Sequence, residues 1–310
     1  MNIATVFDEK IVNELKTNLQ FSNLQIKHIN SIEPELVEIF WCSVYPKIDK
    51  SFLDRYKNLR IIISPTTGLT HIDIEYCQKK KIKIISLKGE SEFLSSITAT
   101  AEFTWTMLLA LWRNLPLISN CDELVENRWN FKSNQLLGKN IGIVGLGRVG
   151  AQVANYALAF GCNVFYYDPY VSVQFENFQK KAKLNNLIEN SDIICICASV
   201  LDKSSPPIFG NEEISFMRTN AILINTARGE LLDEKSAFIA LLEGRISGLG
   251  LDVRKEELSQ NRSSENLIKL CKENSLNLLI TPHVAGACSD ALSMCNEFLF
   301  RKLITEIESG

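Results

Sequence analysis

Three glycines stand in the run Gly145-Leu146-Gly147-Arg148-Val149-Gly150, directly after Ile141-Gly142-Ile143-Val144 and directly before the apolar stretch Ala151–Ala159. A strand that turns into a helix there needs Gly145 for the tight turn. Gly147 lets the backbone approach a pyrophosphate, and Gly150 lets the helix pack closely on the strand. The helix N-terminus then offers N–H groups and partial positive charge to phosphate. Arg148 and Val149 lie in the same loop, and Arg148 is placed to reach the pyrophosphate. The next strand, Asn163–Tyr167, ends in Asp168, where a carboxylate accepts hydrogen bonds from the adenosine ribose. No Lys or Arg follows in Pro169-Tyr170-Val171, and a carboxylate repels a 2′-phosphate. The pattern therefore favours NAD over NADP. A lone glycine motif marks only a turn; the strand, the helix and the acid together make it a dinucleotide site.

Other side chains could carry proton or anion chemistry. Of three histidines, His28 ends an early strand and reads as structural, and His71 falls in a loop. His283 closes Thr281-Pro282-His283 at the end of the last strand, and imidazole gives and takes protons near neutrality. Arg228 follows the strand Ala221–Asn225, at the carboxyl end of a parallel sheet, where open α/β sheets bind ligands. A guanidinium fork holds a carboxylate through two charge-assisted hydrogen bonds. The nine cysteines, an odd number without framework spacing, read as reduced thiols of a cytoplasmic protein. Cys195 and Cys197 share one face of a strand, but no second ligand pair accompanies them, and no metal site is expected.

The elements that must position these groups alternate. Short apolar runs at Ile3–Phe7, Leu24–His28, Val37–Cys42, Ile61–Ser64 and Ile82–Ser86 are separated by amphipathic stretches such as Ile11–Leu19 and Asp49–Lys57. Ser96–Ile118 is strongly apolar and reads as one helix. A second alternation supplies six strands: Ile141–Val144, Asn163–Tyr167, Ile193–Cys197, Ala221–Asn225, Ser247–Leu251 and Leu278–Thr281. The final apolar stretch, Ala287–Ile307, reads as helical. Such alternation implies parallel sheets covered on both faces.

With 310 residues, 46% hydrophobic and 22% charged, the chain can build two ordinary domains. A net charge of −3 gives no basic stripe for nucleic acid, and the Lys79–Lys83 run reads as a solvated helix end. No apolar run is long enough to cross a bilayer, and the N-terminus lacks the organisation of a secretory signal.

The linked segments Leu137–Gly150, Ser191-Asp-Ile-Ile194, Ile224-Asn-Thr-Ala-Arg-Gly229, Gly250-Leu-Asp-Val253 and Thr281-Pro-His283 resemble the D-isomer-specific 2-hydroxyacid dehydrogenase family. That family includes phosphoglycerate, glyoxylate/hydroxypyruvate and D-lactate dehydrogenases. The resemblance implies an α/β chain of two doubly wound parallel-sheet domains, with a Rossmann NAD domain (100–286) inserted into a flavodoxin-like substrate domain (1–99 and 287–310). The active site would lie in the cleft between them. It implies hydride transfer between NAD and a small 2-keto or 2-hydroxy acid, and a homodimer built on Ser96–Ile118 and the arm to Trp129.

The resemblance also implies roles. Arg228 would bind the substrate carboxylate, and His283 would be the acid/base. Glu257 matches the family's glutamate, although Leu258 stands where Pro is usual and Glu256 precedes it as a surface charge. A carboxylate bonded to imidazole favours imidazolium. Asp252 would hold the nicotinamide carboxamide, with Thr226 and Gly286 lining the same pocket. Ser64–Asp73 resembles the substrate loop, with Thr67 and Gly68 as its candidates, Thr66 at the usual first Gly and Thr70 at the usual Asp.

Phe40-Trp41-Cys42-Ser43 lacks the Arg-Ser pair that helps phosphoglycerate dehydrogenases bind phosphate, which argues against that substrate. Trp41 is either an apolar wall or plain core. Two rivals stand beside this reading. Tyr76-Cys-Gln-Lys-Lys80 fits YxxxK, but it precedes the glycine motif, the wrong order for a short-chain dehydrogenase. A non-enzymatic, NAD-sensing protein of corepressor type is the other.

Overall fold

The computed structural model describes residues 1–18, 24–119, 125–171, 176–200, 206–255, 257 and 264–309. The chain divides into two compact units, Met1–Ser96 with Cys288–Gly310, and Ile97–Ala287.

In the first unit, strands β1 (Asn2–Thr5), β2 (Gln25–His28), β3 (Ile39–Trp41), β4 (Ile61–Ser64) and β5 (Lys83–Ser86) form a parallel sheet in the order β2-β1-β3-β4-β5. This is the flavodoxin-like order. Its central strands, β3 and β4, are buried along their whole length, as expected of strands covered on both faces. Phe40, Trp41 and Cys42 are fully buried, so this stretch is core and Trp41 offers no exposed wall.

In the second unit, strands β6 (Asn140–Val144), β7 (Asn163–Tyr167), β8 (Gln179–Lys180), β9 (Ile193–Ile196), β10 (Ile222–Asn225), β11 (Gly248–Leu251) and β12 (Leu278–Ile280) run in the order β12-β11-β10-β9-β6-β7-β8. Every pairing is parallel. This is the doubly wound dinucleotide order with one added strand, and it reverses between β6 and β9, where such folds bind their ligand. Seven strands therefore replace the six expected. The unexpected strand, β8, is two exposed polar residues at the sheet edge, too short and too polar to carry an apolar signal. It takes the third place in the dinucleotide order, so the strand added to that order is β12.

The single helix expected over Ser96–Ile118 is in fact two, Ala99–Trp112 and Leu115–Ile118. Asn114 between them is left-handed, with φ 55°. Pro116 explains the break: inside a continuous helix it would lack an N–H and clash with the carbonyl one turn earlier. The apolar content of the longer helix is spent within its own unit, where Met107, Leu108, Leu111 and Trp112 pack with Ile141, Val164 and Ile224.

Candidate active site

The glycine loop leaves β6 at Gly145, whose φ of +91° suits glycine. A Cβ on Gly150 would lie 2.2 Å from the Gly145 carbonyl oxygen, whereas a Cβ on Gly147 would meet nothing within 4 Å. The first contact shows why the helix can start so close to the strand. The second shows an open face over the loop. Helix Arg148–Ala159 begins there, and no side chain caps its N-terminus. Uncapped N–H groups facing open space suit a pyrophosphate.

Asp168, past the end of β7, accepts from Leu146 N at 2.9 Å through Oδ2, and from Tyr170 N (2.8 Å) and Val171 N (3.2 Å) through Oδ1. A carboxylate has about four acceptor sites, so one is left for a ribose hydroxyl. The residues present fit a dinucleotide. Arg148 points elsewhere, its Nη1 donating to the Ile97 carbonyl. Val149 is half-buried beside the core under the loop.

Arg228, Glu257 and His283 follow β10, β11 and β12, three neighbouring strands of one parallel sheet. All three therefore leave the same carboxyl edge. Asn225, buried at the end of β10, shapes the Arg228 turn: its Nδ2 donates to Arg228 O (2.9 Å) and its Oδ1 accepts from Ala227 N (3.0 Å). Arg228 Nη1 donates to Ala227 O at 2.6 Å. Of its five N–H groups, the rest have no partner among the described residues. Partial burial draws the Arg228 pKa below the usual guanidinium value, opposed by the nearby charges of Glu230 and Glu257. A half-buried cation without an ion pair favours an anion beside it.

His283 Nδ1 lies 2.7 Å from Glu257 Oε1. An ionised carboxylate can only accept, so Nδ1 carries the proton. Nε2 has no hydrogen-bond partner among the described residues. Burial pushes the Glu257 carboxyl up, but the hydrogen bond and charge of His283, the Arg254 N–H and the Arg228 charge outweigh it and hold the pKa below its ordinary value. Glu256 and Leu258 lie outside the described residues.

Asp252 is 1% exposed. Its Oδ1 accepts from Thr281 Oγ1 (2.6 Å) and Val284 N (2.8 Å), and its Oδ2 accepts from Ala285 N (2.9 Å). It therefore frames the loop that carries His283, a task not read from the sequence, and keeps about one acceptor site spare. Thr226 is buried, 2.6 Å from Thr104 Oγ1, and Gly286 is exposed near Thr100.

In the first unit, the loop after β4 is braced from inside. Thr66 Oγ1 lies 2.8 Å from Ser64 Oγ and donates to Gly68 O at 2.9 Å. Thr67 is exposed and Gly68 half-buried. His71 is buried 3.4 Å from Ser64 Oγ, and His28 accepts from Asn30 N. Tyr76 and Lys80 both bind Asp54 on the surface, a local ion-pair group. Burial pushes the Cys197 thiol up to about 12, and that of Cys195 well above its ordinary value.

The family model described as the NAD binding domain of D-isomer specific 2-hydroxyacid dehydrogenase matches residues 105–285. A D-3-phosphoglycerate dehydrogenase of Methanocaldococcus jannaschii is 32% identical over 79% of this chain, which spans only 45% of that relative. A hydroxypyruvate reductase of Thermotoga maritima is 28% identical over 96% of this chain and 93% of its own length. Among solved structures, a D-lactate dehydrogenase from Aquifex aeolicus, complexed with NAD and lactic acid, superimposes with a TM-score of 0.82. It is 26% identical, with coverage of 100% of this chain and 96% of that one. The chain belongs to the D-isomer specific 2-hydroxyacid dehydrogenase family. It is an oxidoreductase acting on CH–OH groups, and NAD is its cofactor.

Proposed function

We propose that the chain interconverts a small 2-keto acid and the D-2-hydroxy acid, with Arg228, Glu257 and His283 as the working residues. The observation that carries this is the pairing of His283 Nδ1 with Glu257 at 2.7 Å. It leaves Nε2 unpartnered among the described residues, on the same sheet edge as an Arg228 whose guanidinium has Ala227 O as its one partner among those residues.

Bound NADH supplies the hydride for the C2 carbon. Arg228 grips the substrate carboxylate and so sets which carbon is presented. His283 donates the Nε2 proton to the carbonyl oxygen as negative charge develops there, and takes it back in the oxidative direction. Glu257 holds the ring in the Nδ1–H tautomer and stabilises the imidazolium. Gly145, Gly147, Arg148, Val149 and Gly150 would cradle the pyrophosphate, Arg148 by leaving the Ile97 carbonyl. Asp168 would take the ribose. Thr226, Gly286 and the spare acceptor site of Asp252 would face the nicotinamide end. Unit 2 would be the NAD domain and unit 1 the substrate domain, its Thr67 and Gly68 contributing to carboxylate binding.

The test is NADH oxidation across a panel of short 2-keto acids, including glyoxylate, pyruvate and hydroxypyruvate. Turnover with at least one acid is expected. Tight NADH binding without turnover on any would instead favour the NAD-sensing reading.

A homodimer fits the exposure of Val125 (77%) and Trp129 (62%), and the reading places the protein in the cytoplasm; no helix among the described residues is long and apolar enough to cross a membrane. Light scattering at twice 35.0 kDa is the expected result.

A further inference from the structure

The segment bearing Glu257 runs between β11 and helix Glu265–Glu273, and both its ends are tied to one carboxylate. Glu234, in the first turn of helix Glu234–Leu242, is 7% exposed. Its Oε1 accepts from the backbone N of Lys255, at the start of the segment. Its Oε2 accepts from Ser264 Oγ at 2.8 Å, at the end. Arg254, 8% exposed, closes the figure. Its Nη2 donates to Ser264 Oγ (2.8 Å), its Nη1 donates to Glu265 Oε1 (3.0 Å), and its Nε lies 3.6 Å from Glu234 Oε2. The backbone N of Arg254 donates to Glu257 Oε2 at 3.3 Å.

The same backbone presses on the Arg228 turn. A Cβ on Gly229 would lie 2.1 Å from Arg254 C and 2.2 Å from Lys255 N. A shift of residues 254–255 therefore moves Glu257 directly and Arg228 through Gly229.

A buried ion pair is a poor source of stability, because desolvating the two charges cancels most of their attraction, and apolar residues of similar volume often do as well. What the Glu234–Arg254 pair supplies instead is geometry: a guanidinium fork and a carboxylate with fixed directions, reaching both ends of one segment. From this we infer that Glu234, Arg254 and Ser264 form a positioning clamp for Glu257. They touch no reacting atom and act by holding Glu257 Oε1 on His283 Nδ1.

The inference rests on the catalytic reading of His283 and Glu257, and its test separates the two. The variant is Arg254→Met/Glu234→Met, which removes both charges together so that neither is left buried alone. Arg254→Lys, which keeps a cation but loses the fork, serves as the second variant if the first does not fold. The substrate-independent readout is the proton NMR signal of the His283 Nδ1–H bonded to Glu257, assigned by its loss in His283→Ala. With three histidines the spectrum is simple. That signal is expected to broaden or disappear in a variant that is folded by circular dichroism.

In turnover, kcat is expected to fall about 10- to 100-fold, the scale of a small misplacement of catalytic groups, with the KM for NADH held. In a Glu257→Gln background the same change is expected to cost nearly nothing further, because the residue it positions is already disabled. A folded variant that keeps the Nδ1–H signal, or that loses kcat equally with and without Glu257, overturns the clamp. A wild type that shows the signal but reduces no keto acid sinks the catalytic reading instead.

Discussion

His283 and Asp252 are joined through the backbone. His283 N donates to the Asp252 carbonyl oxygen at 2.8 Å, while the Asp252 carboxylate collects Thr281, Val284 and Ala285 on either side of it. His283 sits at φ 56°, a left-handed conformation that costs a non-glycine residue about 1–3 kcal/mol and persists only where neighbours over-determine it. Asp252 supplies that determination, and so decides where the imidazole points.

Asp252→Asn should therefore damage more than cofactor contacts. An amide NH2 replaces one acceptor facing backbone donors, leaving a buried group unsatisfied. A stability loss of about 1–3 kcal/mol is expected, seen in urea melts, together with a kcat loss of about 10-fold or more.

Gly150→Ala puts a methyl group 2.2 Å from the Gly145 carbonyl oxygen. The helix must retreat from the strand and take its N-terminus away from the phosphates. Isothermal titration should show NADH binding weakened at least about 10-fold, equivalent to about 1.4 kcal/mol, with the sheet intact.

The cofactor preference follows from Asp168. Wild type should favour NADH over NADPH in kcat/KM, because the carboxylate would face a 2′-phosphate. Asp168→Ser should narrow that ratio mainly by weakening NADH, since no Lys or Arg stands at 169–171 to greet the phosphate.

The depressed pKa of Glu257 has a pH signature. A carboxyl whose folded pKa lies below its unfolded value binds more protons when unfolded, so stability rises with pH between the two values. The contribution is complete above the ordinary value of 4.5 and is lost as pH falls through the folded value. In thermal melts, Glu257→Gln should be less stable than wild type near neutrality, and the gap should close as the pH falls below 4.5 and through the lowered folded value.

Much of this was legible in the residues. The β-branched run before Gly145 and the acid at 168 define a strand–turn–helix–strand unit by local rules. The apolar runs of β9 to β11 announce strands buried on both faces. Tertiary pairings were not legible. Glu234, Arg254 and Ser264 carry no local signal of their burial, because nothing in the sequence around them says that three elements will meet there. Asp252 read only as a cofactor ligand, since its bonds run to a loop one strand away. The break at Asn114 does have a local signal, Pro116, which the apolar run around it outweighed.

The most direct test of the catalytic set is His283→Ala, measured for both kcat of NADH-dependent keto-acid reduction and the NADH dissociation constant. General acid catalysis contributes about 10²–10⁴-fold, so kcat should fall by that factor while NADH affinity is unchanged. A variant that reduces the acid at the wild-type rate would show that the proton comes from elsewhere, and the assignment of Glu257 and Arg228 beside it would fall with it.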